Sequence, residues 1–443
     1  MSLALSGGTV LTALDPPRLA QADIVIAHGR VAAVGPAPTG IPRRDCSGCV
    51  IIPGNVNAHT HLYSALARGM PYRLEPPANF LQILQRVWWR LDRALDGEIV
   101  RASALVGGMD ALLSGTTTLI DHHASPTAID GSLDLVADAL AEVGIRSVLC
   151  YEVTDRDGPE RARAGVRENE RFLQTQRLLA RGLVGAHASF TLSPETLADC
   201  VAIAREFQSG VHIHVAEDLV DERDAEARFR RRVAHRLADT GALNERAILA
   251  HCVHVDGAET ALILETGAIV AHNARSNMNN AVGRAAVGHF GKRVVLGTDG
   301  IGDDMFAESQ AAYWRAREDD VFLSMAWPLQ RLAAGAALAG RIFGEPLLGR
   351  IEPGAPADLT VLQYTPPTPL EDGNVAGHWL FGLSARDVRD VVVAGELVVA
   401  DRRLTRVDQD EIAAAAAGQA ARLWQRLEEI GPHEFAPAGV GRR

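Results

Sequence analysis

This chain of 443 residues has almost no lysine and no excess of positive charge. Lys292 is the only lysine, and the formal net charge is −11 at pH 7. Binding to a phosphate backbone needs a basic face, so this charge argues against nucleic acid as the main partner.

Cysteines and long hydrophobic runs are also scarce. Five cysteines cannot form a complete disulfide framework, and no apolar run approaches the roughly 20 residues of a bilayer-spanning helix. The first residues lack the basic segment and long apolar core of a secretory signal. We therefore predict a cytoplasmic protein without a membrane partner. Cys46 and Cys49 have the spacing of a redox or zinc pair, but no second such pair exists, which favours a structural role.

What the chain does have is eight short apolar runs, each of which ends in His, Asp or Glu. They cover residues 50–61, 118–122, 148–152, 183–187, 211–214, 247–251, 268–272 and 294–299. Segments with helical spacing separate them, over residues 96–113, 133–143, 159–179, 194–208 and 221–240. Alternating strands and helices favour a parallel sheet. We predict an α/β fold, a (β/α)8 TIM barrel over residues 53–350, with its site at one mouth.

The segments outside this repeat have a different character. Residues 1–52 and 351–404 contain short strands and turns, and neither end has enough strands to bury a face. We expect both ends to pair into one small β-sandwich that flanks the barrel. Residues 405–443 are predicted to form a helix over 412–430 and a mobile tail. The insertion at 71–95, with Trp88, is predicted either as a lid or pocket wall or as helix packing.

Three histidines and an aspartate form a candidate metal site. His59 and His61 stand at positions i and i+2 of a strand and so point the same way. His214 and Asp299 end the fifth and eighth runs. This set suits one divalent ion, Zn2+ in the first place or Fe2+, with a position open for water.

Two further residues are candidates for proton chemistry. Glu217 follows His214 by three positions, and a buried carboxylate beside a metal can take up and return a proton. His251 ends the sixth run, where it orients the attacking water or serves as a further ligand. We favour the first role. Asp299 is also placed to accept a proton from the water.

Five motifs occur in order along nearly the whole chain. They are Pro53-Gly54-x-x-Asn57-x-His59-x-His61, His214-x-x-Glu217, His251-Cys252-x-His254, His272-Asn273-x-x-Ser276-Asn277 and Gly297-Thr298-Asp299-Gly300. Together they resemble the amidohydrolase superfamily, in its mononuclear branch of aminohydrolases and triazine chlorohydrolases. Residues 88–92, 121–126, 151–157 and 276–281 resemble the SsnA-type aminohydrolases more narrowly.

The resemblance implies roles for particular residues. His59, His61, His214 and Asp299 match the metal ligands, and Glu217 and His251 match the proton-shuttling pair. Binuclear relatives bridge two ions with a carbamylated lysine on the fourth strand. Here His187 stands at that position, which implies a single ion. His187 matches a substrate-contacting histidine; the candidate substrate contacts are His122, His123, Glu152, His187, Asn273 and Trp88.

The expected reaction is hydrolytic deamination of an amino-substituted nitrogen heterocycle, of purine, pyrimidine, pterin or triazine type. Hydrolysis of a cyclic amide or of a carbon–halogen bond at the same site is the alternative. A non-catalytic scaffold relative is a third interpretation, although no ligand is missing. A homodimer is a common outcome for such barrels, although the sequence itself does not determine the oligomeric state.

Overall fold

The computed structural model describes residues 2–439. The strands are β1 Ser2–Ser6, β2 Thr9–Leu14, β3 Pro17–Gln21, β4 Ile24–Ala27, β5 Arg30–Val34, β6 Arg43–Asp45, β7 Val50–Pro53, β8 Asn55–Thr60, β9 Thr116–His123, β10 Arg146–Tyr151, β11 Ala180–Gly182, β12 Val184–Ala188, β13 Val211–Val215, β14 Ile248–His251, β15 Ile269–His272, β16 Val294–Leu296, β17 Leu359–Leu362, β18 Val388–Val393, β19 Glu396–Ala400 and β20 Arg403–Leu404. The helices are α1 Phe80–Ile83, α2 Trp89–Ala94, α3 Gly97–Leu113, α4 Ser132–Val143, α5 Pro159–Leu173, α6 Pro194–Glu206, α7 Leu219–Phe229, α8 Val233–Thr240, α9 Gly257–Thr266, α10 Ala274–Asn279, α11 Met305–Arg317, α12 Trp327–Phe343, α13 Val375–Phe381 and α14 Gln409–Glu429.

All eight apolar runs contain strands, and one strand from each run belongs to a parallel sheet. One sheet has the order β11-β10-β9-β8, and a second has the order β12-β13-β14-β15-β16. Isolated bridges occur between Val153 and Ala186 and between Thr60 and Asp299. The predicted α/β character is confirmed, and the carboxyl ends of these strands lie on one side.

Two predicted helices differ from those in the structure. The segment 221–240 forms two helices, because Arg230 adopts a left-handed backbone (φ 55°) that ends α7. The segment 159–179 is helical only as far as Leu173 and then leads into β11. Helix α6 begins as its sequence indicates: the Ser193 side chain accepts a hydrogen bond from the Thr196 backbone N–H.

Strands from the two ends of the chain share one sheet. Strand β17 pairs with β7 antiparallel, and β7 pairs with β2 in parallel, within a sheet of order β20-β19-β18-β17-β7-β2-β3. A second sheet has the order β5-β4-β1-β6. Leu5 and Ile24 of this sheet and Ile51 and Val361 of the larger one belong to a single buried hydrophobic cluster.

The segment after α14 packs against the body of the protein. His433 is only 5% exposed, and its backbone N–H donates to the Gln85 carbonyl oxygen at 2.8 Å. The predicted mobile tail is therefore wrong for residues 431–439, whose aromatic side chains find a buried partner in Trp89. Among the helices between residues 2 and 439, none has both the length and the hydrophobicity to cross a membrane.

Candidate active site

Four polar side chains from three distant strands converge at the carboxyl end of the parallel sheets. His59 lies on β8, His61 directly follows it, His214 lies on β13, and Asp299 follows β16; all four are buried. His61 Nε2 lies 2.9 Å from Asp299 Oδ1 and 3.2 Å from His214 Nε2. His59 Nε2 lies 3.5 Å from the same Asp299 oxygen. The structure thus brings together all four predicted metal-binding residues.

The Nε2 atoms of His59, His61 and His214 all face the space beside Asp299 Oδ1. His61 Nδ1 lies 2.6 Å from the His122 carbonyl oxygen, and His214 Nδ1 lies 2.8 Å from that of His187. A carbonyl only accepts, so each Nδ1 carries the proton and each Nε2 keeps its lone pair. His59 Nε2 is buried without a hydrogen-bond partner. Such a donor set fits a zinc ion.

His251 on β14 also reaches this cluster. One ligand atom from each of His59, His214, His251 and Asp299 lies within 4.8 Å of the others. The His251 Nδ1 atom is held by Asn277 Oδ1 at 2.7 Å. His251 is therefore close enough to serve either as a further ligand or as the residue that orients a water molecule.

A second group of potential ligands overlaps with the first. His61, His122, Glu152 and His214 also offer atoms within 4.8 Å of one another. An Nε2 lone pair binds one ion at a time, so the shared His61 and His214 cannot serve two ions. The Arg156 guanidinium donates to Glu152 at 3.0 Å and adds a positive charge beside this second group. The arrangement accommodates one ion rather than two.

Burial and close charges shift the ionisation of the cluster. Burial disfavours the charged forms, but contacts with His59 and His61 hold the pKa of Asp299 well below its usual range. Burial likewise opposes protonation of His61, yet Asp299 outweighs it and raises the pKa of His61 to about 9. Without an ion, His61 therefore holds a second proton, on Nε2, and an entering cation displaces that proton and uses the Nε2 lone pair of the neutral ring.

Glu217 stands beside the cluster as the candidate proton carrier. Its Oε2 lies 3.6 Å from His251 Nε2, and its Oε1 accepts a hydrogen bond from Asn280 Nδ2 at 3.3 Å. Burial raises the pKa of Glu217 to about 7, although the nearby His251 works in the opposite direction. A carboxyl group with this pKa can both give and take a proton near neutral pH.

The backbone is strained at two of these positions. His251 has φ 74° and Asp299 has φ 54°, which place non-glycine residues in the left-handed region. Such conformations cost on the order of 1–3 kcal/mol each and cluster at functional sites. The sequence carries no signal for this strain, because it arises where the strand ends meet.

A cavity that is partly open to solvent lies next to the cluster. Its polar wall includes His61, His214, Glu217 and Asp299, which face the candidate metal position. The remaining wall combines further polar residues with a group of aromatic and apolar ones. It includes Tyr63, Phe80, Leu84, Trp88, Trp89 and Phe190. The insertion at 71–95 is thus a pocket wall, which was one of the two predictions for it.

The candidate substrate contacts fall into two groups. Trp88, Glu152 and His187 line the cavity. His122 and Asn273 do not line the cavity but contact residues of the site. His122 Nδ1 lies 3.2 Å from Glu152 Oε2, and Asn273 Nδ2 lies 3.5 Å from His251 Nε2.

His123 points away from the cavity. Its Nε2 bonds the Ser125 hydroxyl at 2.9 Å, and its ring packs against Tyr63 and Tyr151. The strand tip at residues 121–123 thus sends neighbouring histidines to opposite sides of the sheet.

Some residues of the site have no role assigned from the sequence. Ser276 Oγ donates a hydrogen bond to Asp299 Oδ2, and Asn277 and Asn280 hold His251 and Glu217. All three lie in the segment 276–281, and Ser276 and Asn277 also belong to one of the five motifs, which was the available signal. Asp92 lines the cavity and binds Arg156 Nη2 at 2.6 Å, a pairing that no local pattern indicates.

Comparison with known proteins identifies the family. The model of the family described as "Amidohydrolase family" matches residues 50–398. The 5'-deoxyadenosine deaminase of Methanopyrus kandleri is 33% identical over 373 residues, which cover 82% of this chain and 84% of that protein. The 5-methylthioadenosine/S-adenosylhomocysteine deaminase of Desulforudis audaxviator is 30% identical over 424 residues, which cover 90% and 94% of the two chains.

A solved structure shows the same fold. The adenosine deaminase from Xanthomonas campestris, with bound zinc, superposes with a TM-score of 0.82 at 23% identity, over 97% of this chain and 99% of that one. The family predicted from the five motifs is confirmed: the chain belongs to the amidohydrolase family.

Proposed function

We propose that the protein is a metal-dependent hydrolase that deaminates an amino-substituted nitrogen heterocycle. The observation that carries this proposal is the convergence of three imidazoles and Asp299 beside Glu217, at the wall of a cavity that also has aromatic lining residues. The names of the related deaminases support an adenosine-type purine as the substrate class.

In this proposal His59, His61, His214 and Asp299 hold one divalent ion, Zn2+ in the first place. The choice of zinc is supported by the nitrogen-rich donor set and by the zinc in the related adenosine deaminase structure. A zinc ion bound here would lower the pKa of water from about 15.7 to about 7 and so supply hydroxide at neutral pH.

The protein's own residues then handle the protons. Glu217 takes a proton from the attacking water and delivers it to the ring nitrogen beside the amino-bearing carbon. His251, fixed by Asn277, accepts a hydrogen bond from the water, and Asp299 orients it from the other side. The water oxygen bonds to the ring carbon as the double bond between that carbon and the protonated ring nitrogen becomes a single bond. Asp299 passes the remaining hydroxyl proton to the amino group, the bond between the ring carbon and the amino nitrogen breaks, and ammonia leaves a ring carbonyl behind.

We further propose that Trp88, Glu152 and His187 contact the substrate directly. His122 and Asn273 act through Glu152 and His251. For the architecture, we propose a (β/α)8 barrel over residues 53–350, flanked by a β-sandwich of segments 1–52 and 351–404, with 405–443 as the terminal helix and tail. The homodimer and the cytoplasmic location stay predictions.

A substrate screen with zinc-loaded protein tests the function. Ammonia release is measured across purines, purine nucleosides, pyrimidines, pterins and triazines, and we expect it for a purine-type amine. Ring opening or halide release without ammonia would instead support the alternative hydrolases. A protein that retains no metal and turns over none of these compounds would support the scaffold interpretation.

A further inference from the structure

His212 lies one layer below the candidate metal position. It stands two residues before His214 on β13, so both rings point to the same side of the sheet. His212 is fully buried and does not line the cavity, which excludes a contact with substrate. Its Nε2 lies 2.8 Å from His59 Nδ1, and its Nδ1 lies 3.8 Å from the Cys150 sulfur.

The position of one proton, between the two rings, determines the tautomer of His59. Between His59 Nδ1 and His212 Nε2, one nitrogen must donate and the other accept. When His59 donates from Nδ1, its Nε2 keeps the lone pair that an ion needs. When His212 donates instead, the neutral His59 carries its proton on Nε2 and cannot bind an ion.

Cys150 supplies the next contact in this series of hydrogen bonds. Its thiol lies 3.5 Å from the Asp121 carbonyl oxygen, which only accepts, so the S–H donates there. The sulfur is then left to accept the proton on His212 Nδ1, and His212 Nε2 becomes the acceptor for His59.

We propose that His212 is a positioning residue that fixes His59 in the tautomer with a free Nε2. The hydrogen bonds run from His59 to His212, from His212 to Cys150, and from Cys150 to the Asp121 carbonyl. This inference rests on the proposed metal site, in which His59 is a ligand.

His59 differs in this respect from the other two imidazoles. The Nδ1 atoms of His61 and His214 bond backbone carbonyls, which can only accept and which no substitution removes. The partner of His59 is a side chain that can donate as well as accept. A single substitution at His212 therefore changes the metal site while its ligands stay in place.

The zinc affinity of the metal-stripped, full-length protein tests this proposal, measured by competition with a coloured chelator. We expect His212→Leu to bind zinc about 10–100-fold more weakly, because a hydrogen bond that orients a ligand typically has this effect. His212→Gln places an amide oxygen near the position of Nε2 and retains the affinity. The shorter side chain of His212→Asn does not reach His59, and its affinity falls as for leucine.

A matched control is His378→Leu, the same change at a buried histidine that bonds Tyr364 instead; its zinc affinity stays at the wild-type value. Wild-type zinc affinity in both His212→Leu and His212→Asn would overturn the proposal. If the leucine variant does not fold, equal affinities of the Gln and Asn variants overturn it. A wild-type protein that binds no zinc would instead overturn the proposed metal site itself.

Discussion

Glu217 owes its proposed role to burial beside His251. Replacing it by glutamine keeps the shape and the hydrogen bond with Asn280 but removes the proton carrier. We expect Glu217→Gln to lower kcat by about 10²–10⁴-fold, the usual contribution of a general acid or base. Zinc content stays unchanged, because Glu217 is not among the proposed ligands.

Ammonia release and elemental analysis measure the two effects separately. Glu265→Gln makes the same charge change on an exposed position of α9 and serves as the control. Turnover at the wild-type rate in Glu217→Gln would remove this residue from the mechanism.

Burial raises the pKa of a carboxyl group such as Glu217 but lowers the pKa of an imidazole, as His123 shows. Burial lowers the pKa of His123 to about 3, whereas its value in an unfolded chain is about 6.5. Below about pH 6.5 the unfolded chain therefore binds a proton that the folded protein does not, and stability falls with the pH. Between pH 7.5 and pH 5, the protonation of this histidine in the unfolded chain lowers the free energy of unfolding by about 2 kcal/mol.

The thermal stability of His123→Gln checks this effect. The variant loses the titrating ring but keeps a polar group for Ser125. Its Tm should fall less than that of the wild type between pH 7.5 and pH 5. Equal decreases in the two proteins would contradict the assignment to His123.

At the scale of elements, the approach of β16 to β8 decides where Asp299 lies. The Thr298 and Asp299 N–H groups both donate to the His59 carbonyl oxygen at 2.9 Å. A Cβ at Gly297 would lie 2.5 Å from Asn273 Oδ1 and 2.7 Å from His59 Cβ. Glycine is needed here because the two strand ends leave no room for a side chain.

We expect Gly297→Ala to push the two strand ends apart and weaken zinc binding. Overpacking costs about 1–3 kcal/mol, which corresponds to roughly 5–150-fold in affinity. Chelator competition measures the change. Gly288→Ala is the control, since no atom lies within 4 Å of its added methyl group. Unchanged zinc affinity in Gly297→Ala would show that the strand ends can move without moving Asp299.

The segment after α14 supports the aromatic wall of the cavity. The rings of His433 and Phe435 pack on Trp89 with centroids 5.2 and 5.8 Å apart, and Phe435 also packs on Phe190. Phe435→Ala removes this support from two cavity residues. An aromatic pair contributes about 0.5–1.5 kcal/mol, so we expect KM to rise by about two- to tenfold.

In Phe435→Ala, kcat should change less than KM, because the proposed metal ligands do not contact the segment. Steady-state kinetics on the substrate found in the screen separate the two parameters. Leu178→Ala, at a side chain that is 85% exposed, is the control. A decrease confined to kcat would show that the segment acts on the chemistry instead.

At the scale of the whole molecule, the metal site exists only in the folded chain. The ligands come from β8, β13 and the end of β16, and unfolding separates them. An ion that binds only the folded state stabilises it, by about 2.7 kcal/mol at a concentration 100 times its Kd. We expect zinc to raise the Tm of metal-stripped protein, and Asp299→Asn to reduce that rise.

Thermal unfolding with and without zinc measures this coupling. Magnesium is the control ion, because it prefers oxygen ligands in octahedral geometry and should leave the Tm unchanged. An equal rise with zinc in the wild type and in Asp299→Asn would exclude Asp299 as a ligand.

Much of the fold was predictable because burial leaves a periodic record in the sequence. The eight apolar runs all contain strands, and Ser193 marks the start of α6. The break at Arg230 and the packing of His433 were not predicted. The packing of His433 depends on contacts with Gln85 and Trp89, far away in the chain, which local patterns do not report. At Arg230 the left-handed conformation occurs in a residue type that does not favour it, so no sequence pattern marks the end of α7.

The candidate site was also predictable only in part. His59, His61, His214 and Asp299 were identifiable because each ends an apolar run, and parallel strands bring such ends to one edge. The contacts of His212 with His59 and of Ser276 with Asp299 were not identifiable. Side-chain types indicate which groups can donate or accept, but only positions in space show which of them meet.

The amino-acid sequence by itself determined the family, the alternation of strands and helices, and the residue types that can hold one ion. The tertiary structure decided which nitrogen of each imidazole faces that ion, and which aromatic side chains enclose the cavity beside it. The physical reason is the distance along the chain over which each effect acts. The periodicity of burial depends on residues that are only a few positions apart in the sequence. Hydrogen-bond geometry and packing between segments far apart in the chain arise only when the strand ends come together.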